Sequence, residues 1–228
     1  MNFTLTPERV CLIGDAAVIA DLHLGIENVM QESGVAIPKM QIGEILRNVK
    51  RIIRKYNISK LVVAGDLKHE FSRNLPYEWE DVRTFVETVR GEGVELEVVR
   101  GNHDNFLAAI LAEYGIELKE VSNVAGYCIV HGHRECDCER IVMGHEHPSI
   151  KVRVRGALYS YPCYLVADRR IVVVPAFSPL VLGSDVLSGD FLSPILRRAN
   201  RIEVYAIEED EVVYLGTIDD IRAAISGL

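Results

Sequence analysis

Five short apolar, β-branched runs, at 17–20, 61–64, 96–99, 128–130 and 141–143, each stop at a cluster of polar residues, and each reads as a buried strand. Between the first three, apolar residues recur at helical spacing. Over 40–56 they are Ile42, Ile45, Leu46, Val49, Ile52 and Ile53; over 76–89 they are Trp79, Val82, Phe85, Val86 and Val89. A third helix is predicted at 105–114. Strands alternating with helices imply a parallel sheet whose carboxyl edge carries the polar clusters. From 116 onward the pattern changes to short strands with few helices, at 116–121, 151–155, 164–167, 171–174, 202–207 and 212–216. That change predicts a second sheet packed on the first. The Gly-, Ser- and Pro-rich stretch 175–194 is predicted as a long loop.

A chain of 228 residues, 49% hydrophobic and 25% charged, suits one large domain over 1–228 better than two. Its start lacks the basic and then apolar pattern of a signal peptide, and no apolar run approaches the roughly 18 residues of a membrane span. A soluble cytoplasmic protein without membrane contact is expected. Five cysteines at irregular spacing do not make a disulfide framework, so a reduced compartment is expected to keep them as thiols. Cys136-Asp137-Cys138 lies among Arg134, Glu135 and Glu139 and reads as a solvated loop rather than a metal site. The formal net charge of −8 argues against indiscriminate nucleic-acid binding. It leaves room for a local groove, because bound cations would offset acid where it matters.

All seven histidines fall in the clusters at the strand ends: Asp21-Leu22-His23, Gly65-Asp66-Leu67-Lys68-His69, Gly101-Asn102-His103-Asp104, His131-Gly132-His133 and Gly144-His145-Glu146-His147. Taken singly, such elements are turns with capping side chains. Five together, in order, read as the ligand set of a two-metal phosphoesterase. Asp21 and His23 alternate with Leu22, which on an extended backbone sends both side chains from one face to a single ion. Asp66 has two oxygens with which to bridge two cations. Asn102 supplies a neutral carbonyl oxygen to the second ion, His131 completes it, and the turn implied by Gly144 directs His145 and His147 to different ions.

The order D-x-H, G-D, G-N-H-D, H, G-H-x-H from Asp21 to His147 resembles the calcineurin-like metallophosphoesterase superfamily. Within it, His69 three residues after Asp66 resembles the SbcD-type repair nucleases, and Gly144-His145-Glu146-His147-Pro148 with Pro175-Ala176-Phe177-Ser178 looks like their archaeal relatives. The resemblance implies an α/β fold, a four-layer α/β/β/α sandwich with two mixed sheets. It also implies one metal held by Asp21, His23, Asp66 and His147, and another by Asp66, Asn102, His131 and His145. His103 then faces the phosphate, stabilising charge or protonating the leaving oxygen, while His69 orients His103 or contacts a phosphate oxygen. His133 is left between a supporting and a structural role. The nucleophile implied is a metal-bridging hydroxide. The ligand types suit Mn, Fe, Zn or Co, with Mn first by family likeness.

For substrate, Lys151, Arg153 and Arg155 alternate with Val152 and Val154 and present three cations on one strand face, either a track for a polynucleotide backbone or a solvated surface. Arg134 is a nearer candidate for a non-scissile phosphate. No aromatic residues interleave with basic ones to mark a stacking platform for single strands. The leading expectation is a phosphodiesterase acting on DNA or RNA. A phosphatase or cyclic-nucleotide phosphodiesterase for small esters is the second reading, and a catalytically silent interaction scaffold the third. A homo-oligomer is compatible with all three.

Overall fold

The computed structural model describes residues 2–73, 75–154 and 156–226. In chain order the elements are β1 (Thr4–Leu5), β2 (Cys11–Ile13), β3 (Ala16–Ile19), α1 (Ile26–Glu32), α2 (Gln41–Tyr56), β4 (Lys60–Ala64), α3 (Pro76–Gly91), β5 (Glu95–Val99), α4 (Leu107–Ala112) and β6 (Leu118–Lys119). There follow β7 (Ser122–Val124), β8 (Tyr127–Val130), β9 (Ile141–Met143), β10 (Pro148–Val154), β11 (Ala157–Ala167), β12 (Ile171–Val173), β13 (Ser184–Asp185), β14 (Ile202–Glu208), β15 (Glu211–Thr217) and α5 (Ile218–Ser226).

Six strands, β1 to β6 in spatial order, form the first sheet, antiparallel at β1-β2-β3 and parallel across β3-β4-β5-β6. The second sheet is also mixed: β8, β9 and β12 run parallel, and the rest is built chiefly from antiparallel pairs. Because successive residues of a strand face opposite sides, each inner strand feeds two cores. Ala17, Ile19, Leu61 and Val63 pack against Ile45, Val49 and Ile52 of α2 and Val82, Phe85 and Val86 of α3. Their neighbours Val18, Ala20, Val62 and Ala64 meet Ile129, Val142, Tyr164 and Val172 of the second sheet. A third core joins the far side of that sheet, including Met143, Leu165 and Val173, to Ile218 and Ile221 of α5. Three apolar interfaces stacked in this way define four layers, helix on sheet on sheet on helix.

Several sequence expectations are corrected. The segment at 116–121 does not join the second sheet. Its strand, β6, pairs parallel with β5 through Val98↔Leu118 and completes the crossover made by α4. Strand β11 starts at Ala157, well before 164, because its first half pairs with β10 as a two-stranded arm rather than lying in the core. Helix α1 was not foreseen: it has seven residues, only Glu27 of them is buried, and Ile26, Val29 and Met30, though at helical spacing, are not part of a buried face. Cys128 and Cys138 are joined by a disulfide, which corrects the expectation that all five cysteines are thiols. The return of the chain from β8 to β9 brings their Cα atoms to 6.3 Å, a closure that spacing alone does not reveal. Cys11, Cys136 and Cys163 are free, and the thiol argument for a reducing compartment lapses. No helix among the described residues is long and apolar enough to cross a membrane.

Candidate metal centre

Strands β3 and β4 are paired in parallel up to Ile19↔Val63, so the loops beyond them leave the sheet at one edge. The loops stay together: the N–H of Asp21 donates to the Gly65 carbonyl at 3.1 Å, that of His23 to Asp66 at 3.0 Å and that of Leu24 to Leu67 at 2.9 Å. The backbone there is not extended, which corrects the alternation argument for Asp21 and His23. Asp21, His23 and Asp66 have φ of 57°, 47° and 50°, and His145 and His147 have 73° and 45°. Left-handed backbone costs a non-glycine residue about 1–2 kcal/mol. Five such residues in one place require packing that over-determines them, as at functional sites. Close approach also demands glycine. A Cβ on Gly101 would overlap the Asp66 carboxylate, and one on Gly65, itself at φ 88°, would overlap the His131 ring.

The seven imidazoles form two groups. His23 meets His69, His103 and His147 with ring centroids 5.1–5.2 Å away. His131, His133 and His145 form the other group, with His131 and His145 at 4.8 Å. Two buried carboxylates span the gap. An oxygen of Asp66 lies 3.3 Å from His131 Nε2 and 3.8 Å from His23 Nε2. An oxygen of Asp21 lies 3.3 Å from His147 Nε2 and 3.7 Å from His131 Nδ1. Asn102 Oδ1 is 3.0 Å from His131 Nε2, and His145 Nδ1 is 3.2 Å from the same nitrogen. All seven residues singled out from the sequence as metal ligands are thus brought together.

Electrostatics and donor chemistry both suit cations. Burial drives His23 down to about 3 and His145 to about 4, so both imidazoles are neutral at physiological pH. Burial works against charge on His131 as well, but hydrogen bonding to Asp66 and the charges of Asp66 and Asp21 outweigh it and push the group up to about 9. Asp66 is held well below the usual carboxylate range because His131, His23 and His103 outweigh its burial. Asp21 Oδ1 is buried and has no hydrogen-bond donor. The neutral imidazoles of His23 and His145, the carboxylates of Asp21 and Asp66 and the amide oxygen of Asn102, with an orphaned acceptor among them, fit divalent ions.

His103 stands at the rim. Its Nδ1–H donates to the His69 carbonyl, which turns Nε2 toward the site, 4.0 Å from Asp66, and its backbone N–H donates to Asp66 at 2.9 Å. His69 therefore orients His103 through its carbonyl, while its ring stacks on that of His103 at 5.6 Å. His133 Nδ1 is buried without a partner, beside a cavity of about 310 Å³ that His131, Arg100 and Arg134 also line. Arg134 is exposed and lies 3.5 Å from Glu120. Lys151 and Arg153 project from β10 beyond His147 but do not line the cavity that His147 shares with Ser149 and Ser160. Arg155 lies outside the described residues.

Sequence reading missed the supports. Asp104 is wholly buried, and its carboxylate accepts the N–H groups of Asp66, Leu67, Lys68 and Gly101 at 2.8–3.3 Å. Gln41 Nε2 donates to the carbonyls of Leu22 and His23, both at 3.0 Å. Glu146 accepts from the backbone of Leu192 and Ser193, tying the His145–His147 turn to the loop that follows β13. Lys68 and Glu78 form a buried ion pair under the His69 loop. Asp104, Lys68 and Glu146 lie inside the recognised motifs, whereas Gln41 and Glu78 carried no sequence signal.

Residues 15–206 match the model of the calcineurin-like phosphoesterase family. No curated protein matches the sequence. Among solved structures, the Pseudomonas putida nuclease MPE superposes with a TM-score of 0.66 at 19% identity, covering 93% of this chain and 94% of that one, a likeness of fold. The phosphoesterase YfcE from E. coli is similar at a TM-score of 0.46 and 14% identity, over 88% of this chain and 98% of that one. The matched span contains every residue of the centre, and the chain belongs to the calcineurin-like phosphoesterase family, metal-dependent hydrolases of phosphate esters.

Proposed function

We propose that this protein is a dinuclear phosphodiesterase that cuts nucleic acid. Two imidazole groups bridged by Asp21 and Asp66 carry the reading. Asp21, His23, Asp66 and His147 would hold one divalent ion, Asp66, Asn102, His131 and His145 the other, with Mn first among Mn, Fe, Zn and Co. Such a pair supplies an activated water and neutralises phosphoryl oxygens. His103, outside the ligand set, presents Nε2 to the reacting phosphate and, as the imidazolium, delivers the Nε2 proton to the leaving oxygen, while the His69 carbonyl accepts its Nδ1–H and holds the ring in place. Arg134, in the loop between β8 and β9, would hold a neighbouring phosphate, and Lys151 and Arg153, on β10, would serve as a backbone track.

The His three residues after Asp66, as in SbcD-type nucleases, supports polynucleotide over small-ester substrates, as does the fold shared with a nuclease. The net charge of −8 favours the second reading, a phosphatase or cyclic-nucleotide phosphodiesterase for small esters. Mn-loaded protein mixed with labelled DNA, RNA and small phosphodiesters separates them: turnover confined to the small esters rejects the nuclease. Asp66→Ala is expected to lose metal by elemental analysis. His103→Ala is expected to keep metal and lose about 10²–10⁴-fold in turnover. Equal activity in all three proteins refutes the site.

A further inference from the structure

Six phenylalanines occur in the chain, and four are used in packing: Phe85 and Phe177 are buried, while Phe3 and Phe191 lie against the cores. The other two, Phe71 and Phe106, are 56% and 51% exposed, and both belong to the loops around His103. Phe71 sets its ring nearly perpendicular to the His103 imidazole, at 85° and 5.7 Å between centroids. Asn105 Nδ2 donates to the Phe71 carbonyl at 2.9 Å, which ties its loop to the residue next to Phe106. Phe106 is held at φ 69°, a conformation that is an outlier for a bulky side chain. Neither its strain nor the exposure of either ring is explained by the cores, and strain of this kind gathers at ligand sites.

We propose that Phe71, assisted by Phe106, is a stacking surface for an unpaired nucleobase, so that the substrate is a nucleotide ester whose base has a free face. This deepens the proposed function and rests on His103 as the group nearest the leaving oxygen. A nucleoside leaving past His103 passes the Phe71 ring, which takes any base because every base has a π face. Paired and stacked bases inside a duplex have no free face, so the surface selects single strands, ends or free nucleotides. Sequence order hides the device, since the two rings come from separate loops and no basic residues interleave with them.

Calorimetry on Mn-loaded protein tests it with thymidine 5′-monophosphate and 2-deoxyribose 5-phosphate, which differ only in the base. Stacking on an aromatic residue predicts that the nucleotide binds about 10-fold tighter, that Phe71→Ala removes most of this advantage, and that Phe71→Trp restores it. Phe106→Ala is expected to remove a smaller part. Equal affinity of the two ligands for the wild-type protein, or an advantage that survives both alanine variants, overturns the proposal. So does a Phe71→Ala variant that weakens both ligands alike, since that is the signature of a ring that merely supports His103. A single-stranded oligonucleotide with one abasic position separates this inference from the nuclease reading. Reduced cleavage beside the abasic site supports both, undiminished cleavage there sinks the stacking surface alone, and a base-dependent affinity without any polynucleotide cleavage sinks the nuclease alone.

Discussion

Removing the ammonium of Lys68 should be among the most damaging single changes outside the metal ligands. Its side chain is 1% exposed, that of Glu78 is 0% exposed, and Nζ lies 3.7 Å from Glu78 Oε2. That oxygen has no hydrogen bond, so the charge of Lys68 is its compensation, while Oε1 accepts the N–H of Glu70 at 2.6 Å. Breaking a buried pair from one side costs about 3–5 kcal/mol. At about 2–4 °C per kcal/mol for a chain of this size, Lys68→Met should lower Tm by roughly 10 °C. Burial already raises the Glu78 carboxyl, with Lys68 pulling it down, so the variant raises it further. A carboxyl raised in the folded state gives its full stability below the unfolded value and loses it as pH rises through the folded one. The penalty should therefore shrink between pH 8 and pH 5. Lys68→Met with Glu78→Gln should recover at least half of it, because no charge is left unpaired. Denaturant titrations of the four proteins of the cycle provide the measurement, and metal affinity should fall with stability, since the pair underlies the loop from Asp66 to His69. A single-variant cost below about 1 kcal/mol, or a double variant equal to the sum of its singles, would refute the reasoning.

Two further outcomes are expected. Burial opposes charge on Glu97, but Ser122, Lys119 and Lys60 outweigh it and take the group down to about 2, with both ammonium nitrogens at 2.9 Å. The stability it lends is present above its ordinary value and lost as pH falls through 4.5 toward 2, about 1–2 kcal/mol after solvent screening. Glu97→Gln should lower Tm clearly more at pH 7 than at pH 2.5, where most of the contribution is gone; an unchanged difference between the two would contradict this. The Cys128–Cys138 disulfide closes a short loop carrying His131 and should contribute about 3 kcal/mol, so reductant should lower Tm. Unfolded, unreduced protein should titrate three thiols; five would show that the bond does not form.

The chain order alone pointed to the phosphoesterase family. Apolar runs must end where the backbone leaves a sheet, and histidine, aspartate and asparagine placed at five such ends are the candidate ligands, with Asp66 proposed as the shared one. The alternation of strands and helices up to 114 likewise announced the first sheet and its outer helices, because burial on both faces leaves a run with no polar position. What the tertiary structure decided is how those ends meet. Left-handed backbone at Asp21, His23, Asp66, His145 and His147 depends on contacts with distant segments, such as the Asp104 carboxylate under Asp66 and the glutamine amide of Gln41 under His23. The same holds for the Cys128–Cys138 closure and for the Phe71 ring beside His103. Local periodicity reports which face of an element is buried, whereas the approach of two loops depends on registers and clashes set by the whole packed chain.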